Sequence, residues 1–236
     1  PDYSALPTFM SSRMRLNIAE PIVFIHVPKC AGSSIRSMLN TNFGGAVLKH
    51  YRDEPNDRNP QPIAFEDADA IVKRYGKCII YGHFNMNRGF GVQNSIPWAK
   101  QFITILREPF SQFVSSFKYS QRNDPKEINE KSFSRFLENN EPNYLNHFPK
   151  KITRDNYTSV IEHDFKFIGF SSDILASYES LKSLLKIETD IAMPKVNVSP
   201  KPNLHFNQFR GEFYEKFSLE VDVYKYAREV WHGKKD

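Results

Sequence analysis

Residues 24–34 read FIHVPKCAGSS, and this stretch decides the fold. Its first half belongs to a short, nearly continuous apolar run, Pro21-Ile22-Val23-Phe24-Ile25-His26-Val27, rich in β-branched residues, the pattern of a strand buried on both faces. The run stops at Pro28. Ser33 and Ser34 are expected N-caps, and Ile35, Met38 and Leu39 follow at helical spacing, so the segment predicts strand, tight loop and helix. Such a turn aims several backbone N–H groups at one spot, where the helix dipole favours an anion. Lys29 adds a mobile positive charge, Gly32 permits close backbone approach, and the two serines add hydroxyl donors. An ordinary strand-to-helix turn with a solvated lysine accounts for these residues equally well when they are taken alone. The nucleotide triphosphatase pattern GxxxxGK[ST] is absent, which argues against an ATPase or GTPase.

The same alternation continues outward. Phe65, Ala68, Ile71 and Val72 predict a helix over residues 64–75, and residues 77–81 read as a second buried strand. Residues 101–106 read as a third, and after Pro109, a good first-turn residue, Phe110, Phe113, Val114 and Phe117 form a helical stripe. Residues 165–170 add a further strand. Residues 174–186 and 213–231 carry helical periodicity, while residues 123–154 read as short helices and loops. Strands alternating with helices predict an α/β fold with a central, mostly parallel sheet flanked by helices. No repeat, low-complexity tract or linker divides residues 1–236, so a single domain is expected; the nearest candidate is the polar, proline-rich loop at residues 51–62.

Composition excludes disorder, collagen and small disulfide scaffolds: 40% of residues are hydrophobic and 25% charged. No apolar stretch approaches the roughly 18 residues of a membrane span. The opening lacks the apolar centre of a secretory signal and begins at Pro1, so a missing native N-terminus is expected. A near-complete chain would be cytoplasmic, a trimmed catalytic domain Golgi-lumenal. The net charge of +5 suits anionic ligands, among them nucleotides, sulfated sugars and nucleic acid. Cys30 and Cys78 are too few for a disulfide framework, and on parallel strands they would lie about 10 Å apart, so free thiols are expected. The sequons at Asn156 and Asn197 are tripeptides short enough to arise by chance.

Two more strand ends carry chemistry. Arg107 ends the strand at residues 101–106, and Ser115 lies two helical turns further on, so both can meet one phosphate at the carboxyl edge of the sheet. Tyr81-Gly82-His83 puts a histidine, the side chain suited to accept a proton near neutrality, just past another buried strand. Each residue has a plainer use: Arg107 pairing with Glu108, Ser115 in packing, His83 in structure. Three complementary strand ends weigh against that, because ligands of open parallel sheets sit outside the carboxyl ends of the strands.

Together these segments resemble the sulfotransferases that use 3′-phosphoadenosine 5′-phosphosulfate (PAPS), in particular the carbohydrate, 2-O-sulfotransferase-like branch, whose loop reads approximately hxPKTGGTS. The resemblance implies a P-loop-like sulfotransferase fold. It implies that Lys29, Cys30, Ala31, Gly32, Ser33 and Ser34 hold the donor and that Arg107 and Ser115 grip its 3′-phosphate. His83 and Lys29 would be the catalytic residues, as general base and as stabiliser of the leaving oxygen. Residues 197–202 resemble a looser cofactor-covering loop, which brings in Lys201, and residues 213–231 resemble the closing helix. Gln112 departs from the second arginine of many relatives and receives no cofactor contact. Cys30 replaces a hydroxyl residue, leaving that position dependent on its backbone N–H.

The implied reaction moves a sulfuryl group to an acceptor hydroxyl or amine of a carbohydrate or small molecule, releasing adenosine 3′,5′-bisphosphate (PAP). No metal is required. A nucleotide kinase of related fold would need a magnesium-holding carboxylate, for which Glu108 or Asp164 are the nominees. A basic nucleic-acid-binding protein would use clusters such as Lys150, Lys151 and Arg154. Nucleic acid is not an expected partner. Acceptor selection is expected in residues 85–98 and 125–157, and the oligomeric state is left open.

Overall fold

The computed structural model describes residues 16–187 and 206–232. Among them, five strands form one parallel sheet: β1 (Ile22–Ile25), β2 (Val47–His50), β3 (Ile79–Gly82), β4 (Phe102–Leu106) and β5 (Phe165–Phe170), in spatial order β2-β3-β1-β4-β5. The chain leaves the central β1, builds outward on one side through β2 and β3, then crosses to β4 and β5. The carboxyl end of β1 therefore lies where the direction of winding reverses, the position at which open α/β sheets hold ligands.

The mostly parallel sheet expected from the apolar runs is present; β5 coincides with its run, β4 and β1 are shorter than theirs, and β3 starts two residues later and extends to Gly82. The one strand the sequence reading did not find is β2, an edge strand whose VLKH sequence is only partly buried and carries no alternating or continuous apolar signal. Its register is fixed by pairing with β3, from Val47 opposite Ile79 to His50 opposite Gly82.

Period-two alternation sends β1 side chains to two cores. Val23 and Ile25 join Cys78, Ile80 and Leu106 on one face, under helix α2 (Phe65–Tyr75) and the terminal helix α7 (Ser218–His232). Ile22 and Phe24 join Ile103 and Ile105 on the other, under α1 (Gly32–Phe43) and α5 (Ile174–Leu185). Cys30 and Cys78 are buried free thiols. A third cluster packs α3 (Pro109–Ser120) against α4 (Glu130–Asn139) and α6 (Arg210–Lys216). Phe110, Phe113 and Phe117, the stripe read from the sequence, meet Phe133 and Phe213 edge-on or tilted at centroid distances of 5.2–6.1 Å. Burying a phenylalanine contributes about 1.5–3 kcal/mol, so this cluster holds α3 firmly at the end of β4.

Two helix boundaries differ from expectation. Neither Ser33 nor Ser34 is the N-cap of α1; that position is Ala31, at φ 65°, and both serines lie inside the first turn. The C-terminal helix is two helices, broken at Phe217, whose side chain turns into the phenylalanine cluster.

Candidate active site

The loop after β1 is held by its carbonyls. Thr104 Oγ1 donates to the Ile25 carbonyl at 2.8 Å, and Gln112 Nε2 to the Pro28 carbonyl at 3.1 Å. An Arg107 guanidinium nitrogen donates to the Lys29 carbonyl at 3.3 Å, and Tyr81 Oη to the Gly32 carbonyl at 2.5 Å. The donors come from β3, from β4 and the residue that follows it, and from α3, so both neighbouring strands of β1 contribute to bracing the loop. With these acceptors satisfied from the protein side, the amides of Gly32, Ser33 and Ser34, in the turn where a helix has no carbonyl to offer its N–H groups, have no partner among the described residues. The expected anion-facing donors are available at the centre of the sheet edge.

Two positions in the loop take left-handed backbone angles, Lys29 and Ala31, both at φ 65°. For side-chain-bearing residues this costs on the order of 1 kcal/mol each, and it is maintained by the four braces just described. Gln112, given no role by sequence, is one of them. Cys30 serves the turn as well: its amide donates to the Val27 carbonyl at 3.3 Å, and its sulfur is buried, with burial pushing the thiol up to about 12. The amide on which that position was expected to depend is therefore committed within the loop.

Gly32 is also required by a contact that the sequence did not announce. A Cβ there would lie 1.7 Å from Nε2 of His26, so the glycine makes room for an imidazole. His26 stacks on His83 with centroids 4.4 Å apart and bonds through Nδ1 to the Tyr51 hydroxyl at 2.9 Å. Tyr51 in turn meets the His83 ring edge-on at 4.8 Å. Gly82 is required by the same crowding, since a Cβ would fall 1.9 Å from the His50 carbonyl oxygen.

His83 itself is oriented by its backbone surroundings. Its Nδ1 lies 2.6 Å from the His26 carbonyl, which can only accept, so Nδ1 carries the proton and Nε2 the lone pair. Nε2 has no hydrogen-bond partner among the described residues. Burial lowers the pKa of His83, against the opposing effects of the His26 carbonyl and Glu54, and Arg36 and Arg88 lower it further. The ring is therefore neutral at pH 7, as a base must be. His147, 5.7 Å away between ring centroids, is pushed by burial and by His83 down to about 3.

On the other flank of the loop lie cations. Burial and the neighbouring Arg107 and Arg122 lower the pKa of Lys29, and burial and Arg107 lower that of Lys118. None of these four has a carboxylate partner among the described residues. The pairing of Arg107 with Glu108 that a surface reading expects is not formed. Glu108 instead caps α3, accepting from the amides of Phe110 and Ser111 at 3.0 and 2.8 Å, and faces Arg210 and Tyr214. Burial raises its pKa, but the hydrogen bonds from Ser111, Tyr214 and Phe110 outweigh burial and hold the carboxyl below its usual range. Repelling, unneutralised cations beside free amides form a site that an anion would relieve.

The sequence matches the model of the sulfotransferase family over residues 12–227. The chain belongs to that family. Its fold is also similar to solved structures of mouse sulfotransferase SULT7A1 complexed with PAP and of a sulfotransferase from Alicyclobacillus acidocaldarius. The first is 13% identical, with 93% of each chain covered and a TM-score of 0.49. The second is 16% identical, with 92% of this chain and 97% of that chain covered and a TM-score of 0.47. No curated protein matches.

The structure thus arrays the residues of this sulfotransferase on three adjacent strand ends: His83 after β3, the Lys29 loop after β1, and Arg107 after β4, with Ser115 on the following helix. Lys201 lies outside the described residues, as do residues 197–202. The carboxylates nominated for a kinase are otherwise engaged, Glu108 as above and Asp164 with Lys150 at 2.9 Å. Two of the three residues of the basic cluster nominated for nucleic acid are ion-paired, Lys150 with Asp164 and Arg154 with Asp222 at 3.1 Å. Among the described residues no group of His, Cys, Asp and Glu could hold a metal, and no helix is long and apolar enough to cross a membrane.

Sequence reasoning missed His26, Tyr51, Lys118, Tyr119 and Arg122. His26 ends a strand just as His83 does and was recognisable on that ground. Lys118 and Tyr119 follow Ser115 at helical i+3 and i+4 spacing, which puts them on its face of α3. Tyr51 carried no signal, since only the β2–β3 pairing brings it beside His83.

Proposed function

We propose that this protein transfers a sulfuryl group from PAPS to a hydroxyl or amine, with a carbohydrate as the acceptor class. The observation that carries the reading is the division of the β1 loop's two flanks, with cations that have no carboxylate partner among the described residues on one side and a neutral imidazole of defined tautomer on the other. The residues fit the donor: free amides at Gly32, Ser33 and Ser34, with Lys29 and Arg107 beside them, match a nucleotide bearing several negative charges.

When bound, PAPS supplies an activated sulfuryl group and a phosphate leaving group. Arg107 and Ser115 would hold the 3′-phosphate, giving orientation and discrimination against donors without it. Ala31 and Gly32 shape the turn, and Ser33 and Ser34 supply donors at the helix start. Lys29 would favour the negative charge that grows on the leaving phosphate oxygen, an interaction stronger in the transition state than before it. His83 Nε2 would take the proton from the acceptor as its oxygen or nitrogen bonds to sulfur and the bond from sulfur to the phosphate oxygen breaks. Lys201 is retained as a donor contact on the resemblance alone.

For the acceptor, residues 85–98 and 125–157 contribute Arg88 and His147 to the surroundings of His83, and Tyr51 adds a third wall. A panel of sugars, phenols and amines incubated with protein and PAPS tests the reading. A gain of about 80 Da on sugars supports it; gains confined to phenols or amines redirect the acceptor class, and no gain on any member, with no PAP binding, rejects the activity.

A further inference from the structure

Lys29 occupies an unfavourable electrostatic position. It lies close enough to Arg107 and Arg122 for both to lower its pKa, and no carboxylate among the described residues holds it there. A flexible four-carbon stem near two guanidinium groups should swing its ammonium toward water. It does not. Lys29 Nζ lies over the ring of Tyr119, 4.2 Å from the centroid, and Arg122 lies over the same ring, also at 4.2 Å. The aromatic face offers both cations a negative electrostatic surface. Tyr119 is 53% exposed and takes no part in the phenylalanine cluster that packs α3.

We propose that Tyr119 is a positioning residue for Lys29: the face of its ring holds the ammonium beside the loop where the leaving oxygen of the donor must lie. This rests on the assignment of Lys29 in the sulfuryl transfer proposed above. The phenol hydroxyl has no part in it; the π face does, and the next helical turn of α3 after Ser115 thereby belongs to the donor site.

PAP affinity and steady-state turnover with PAPS would be measured for the wild type and for Tyr119→Phe, Tyr119→Ala, Lys29→Ala and the Lys29→Ala/Tyr119→Ala pair. Tyr119→Ala should lower kcat by about 3- to 30-fold, the range of a partly desolvated cation–π contact, with a smaller loss of PAP affinity. Tyr119→Phe should keep most of the turnover. In the Lys29→Ala background, removing Tyr119 should cost nothing further in PAP affinity or residual rate, the signature of two residues acting as one unit. Unchanged kcat in Tyr119→Ala, a Phe variant as impaired as the Ala variant, or an undiminished Tyr119 effect without Lys29 would each overturn the proposal. Wild-type protein that fails to bind PAP would instead reject the donor assignment, which separates the two failures.

Discussion

The imidazole of His83 is tied to the backbone of His26: Nδ1 of the first lies 2.6 Å from the carbonyl oxygen of the second. The bond joins the ends of two adjacent parallel strands and fixes a tautomer without any carboxylate, so the lone pair of Nε2 is the one available to a substrate. His83→Ala should reduce kcat by about 10²- to 10⁴-fold while PAP binds with near wild-type affinity. Parallel turnover assays and calorimetric PAP titrations check this, and full activity in the variant rejects the base assignment.

The pH dependence follows from the same geometry. A general base works unprotonated, and burial lowers the pKa of His83, so the acid limb of log kcat/KM should have its midpoint below about 6.5, the ordinary histidine value. Arg36 is exposed and also lowers this pKa, so Arg36→Ala should move that midpoint upward. A midpoint above 6.5 in the wild type contradicts the assignment.

Gln112 and Arg107 both donate to loop carbonyls, but with different consequences when removed. Gln112→Leu leaves the Pro28 carbonyl without its partner, which should cost about 1–3 kcal/mol of folding stability and weaken PAP binding indirectly. Arg107→Ala should weaken PAP far more than adenosine 5′-phosphate, which lacks the 3′-phosphate. Denaturant titration and paired binding curves distinguish the two, and equal losses for both nucleotides in Arg107→Ala exclude the 3′-phosphate contact.

Gly32→Ala drives a methyl group into the His26 ring and should destabilise the protein by about 1–3 kcal/mol, as overpacking does. Removing the obstacle should help: the Gly32→Ala/His26→Ala pair should be less destabilised than the sum of the single changes. Strict additivity in thermal or denaturant unfolding would mean that the glycine is needed for something other than the imidazole.

Acid should unfold this protein partly through its buried histidines. The folded pKa of His147 is depressed to about 3, so below an unfolded value of about 6.5 the unfolded chain takes up a proton that the folded one refuses. Stability is lost as pH falls through that window, by about 1.4 kcal/mol per pH unit for one such group. Glu220, whose carboxyl burial pushes up to about 7, contributes the opposite slope at the upper end of the window, so the comparison is with His147→Leu. That variant should lose less stability between pH 7 and pH 4 than the wild type does.

Continuous apolar runs were enough to locate β1, β3, β4 and β5, because a strand buried on both faces must be apolar at every position. The stripe of Phe110, Phe113 and Phe117 likewise announced α3. β2 was not legible: an edge strand needs no continuous run, and only its pairing with β3 defines it. Three candidate-site positions were legible because a strand end is readable from where its run stops, as at Pro28, His83 and Arg107.

What the amino-acid sequence determines by itself is therefore the order of strands and helices and the chemical type of the group at each strand end, since both follow from local pattern. Only the tertiary structure decides which of those groups meet. Crossing from β3 over β1 to β4 brings Gln112 and Arg107 onto the loop, while Glu108 caps its own helix and does not pair with Arg107. The bonds of Arg107 and Gln112 to the loop join residues 78 and 84 positions apart, and the energies that select them, of hydrogen bonding and charge, act through space rather than along the sequence.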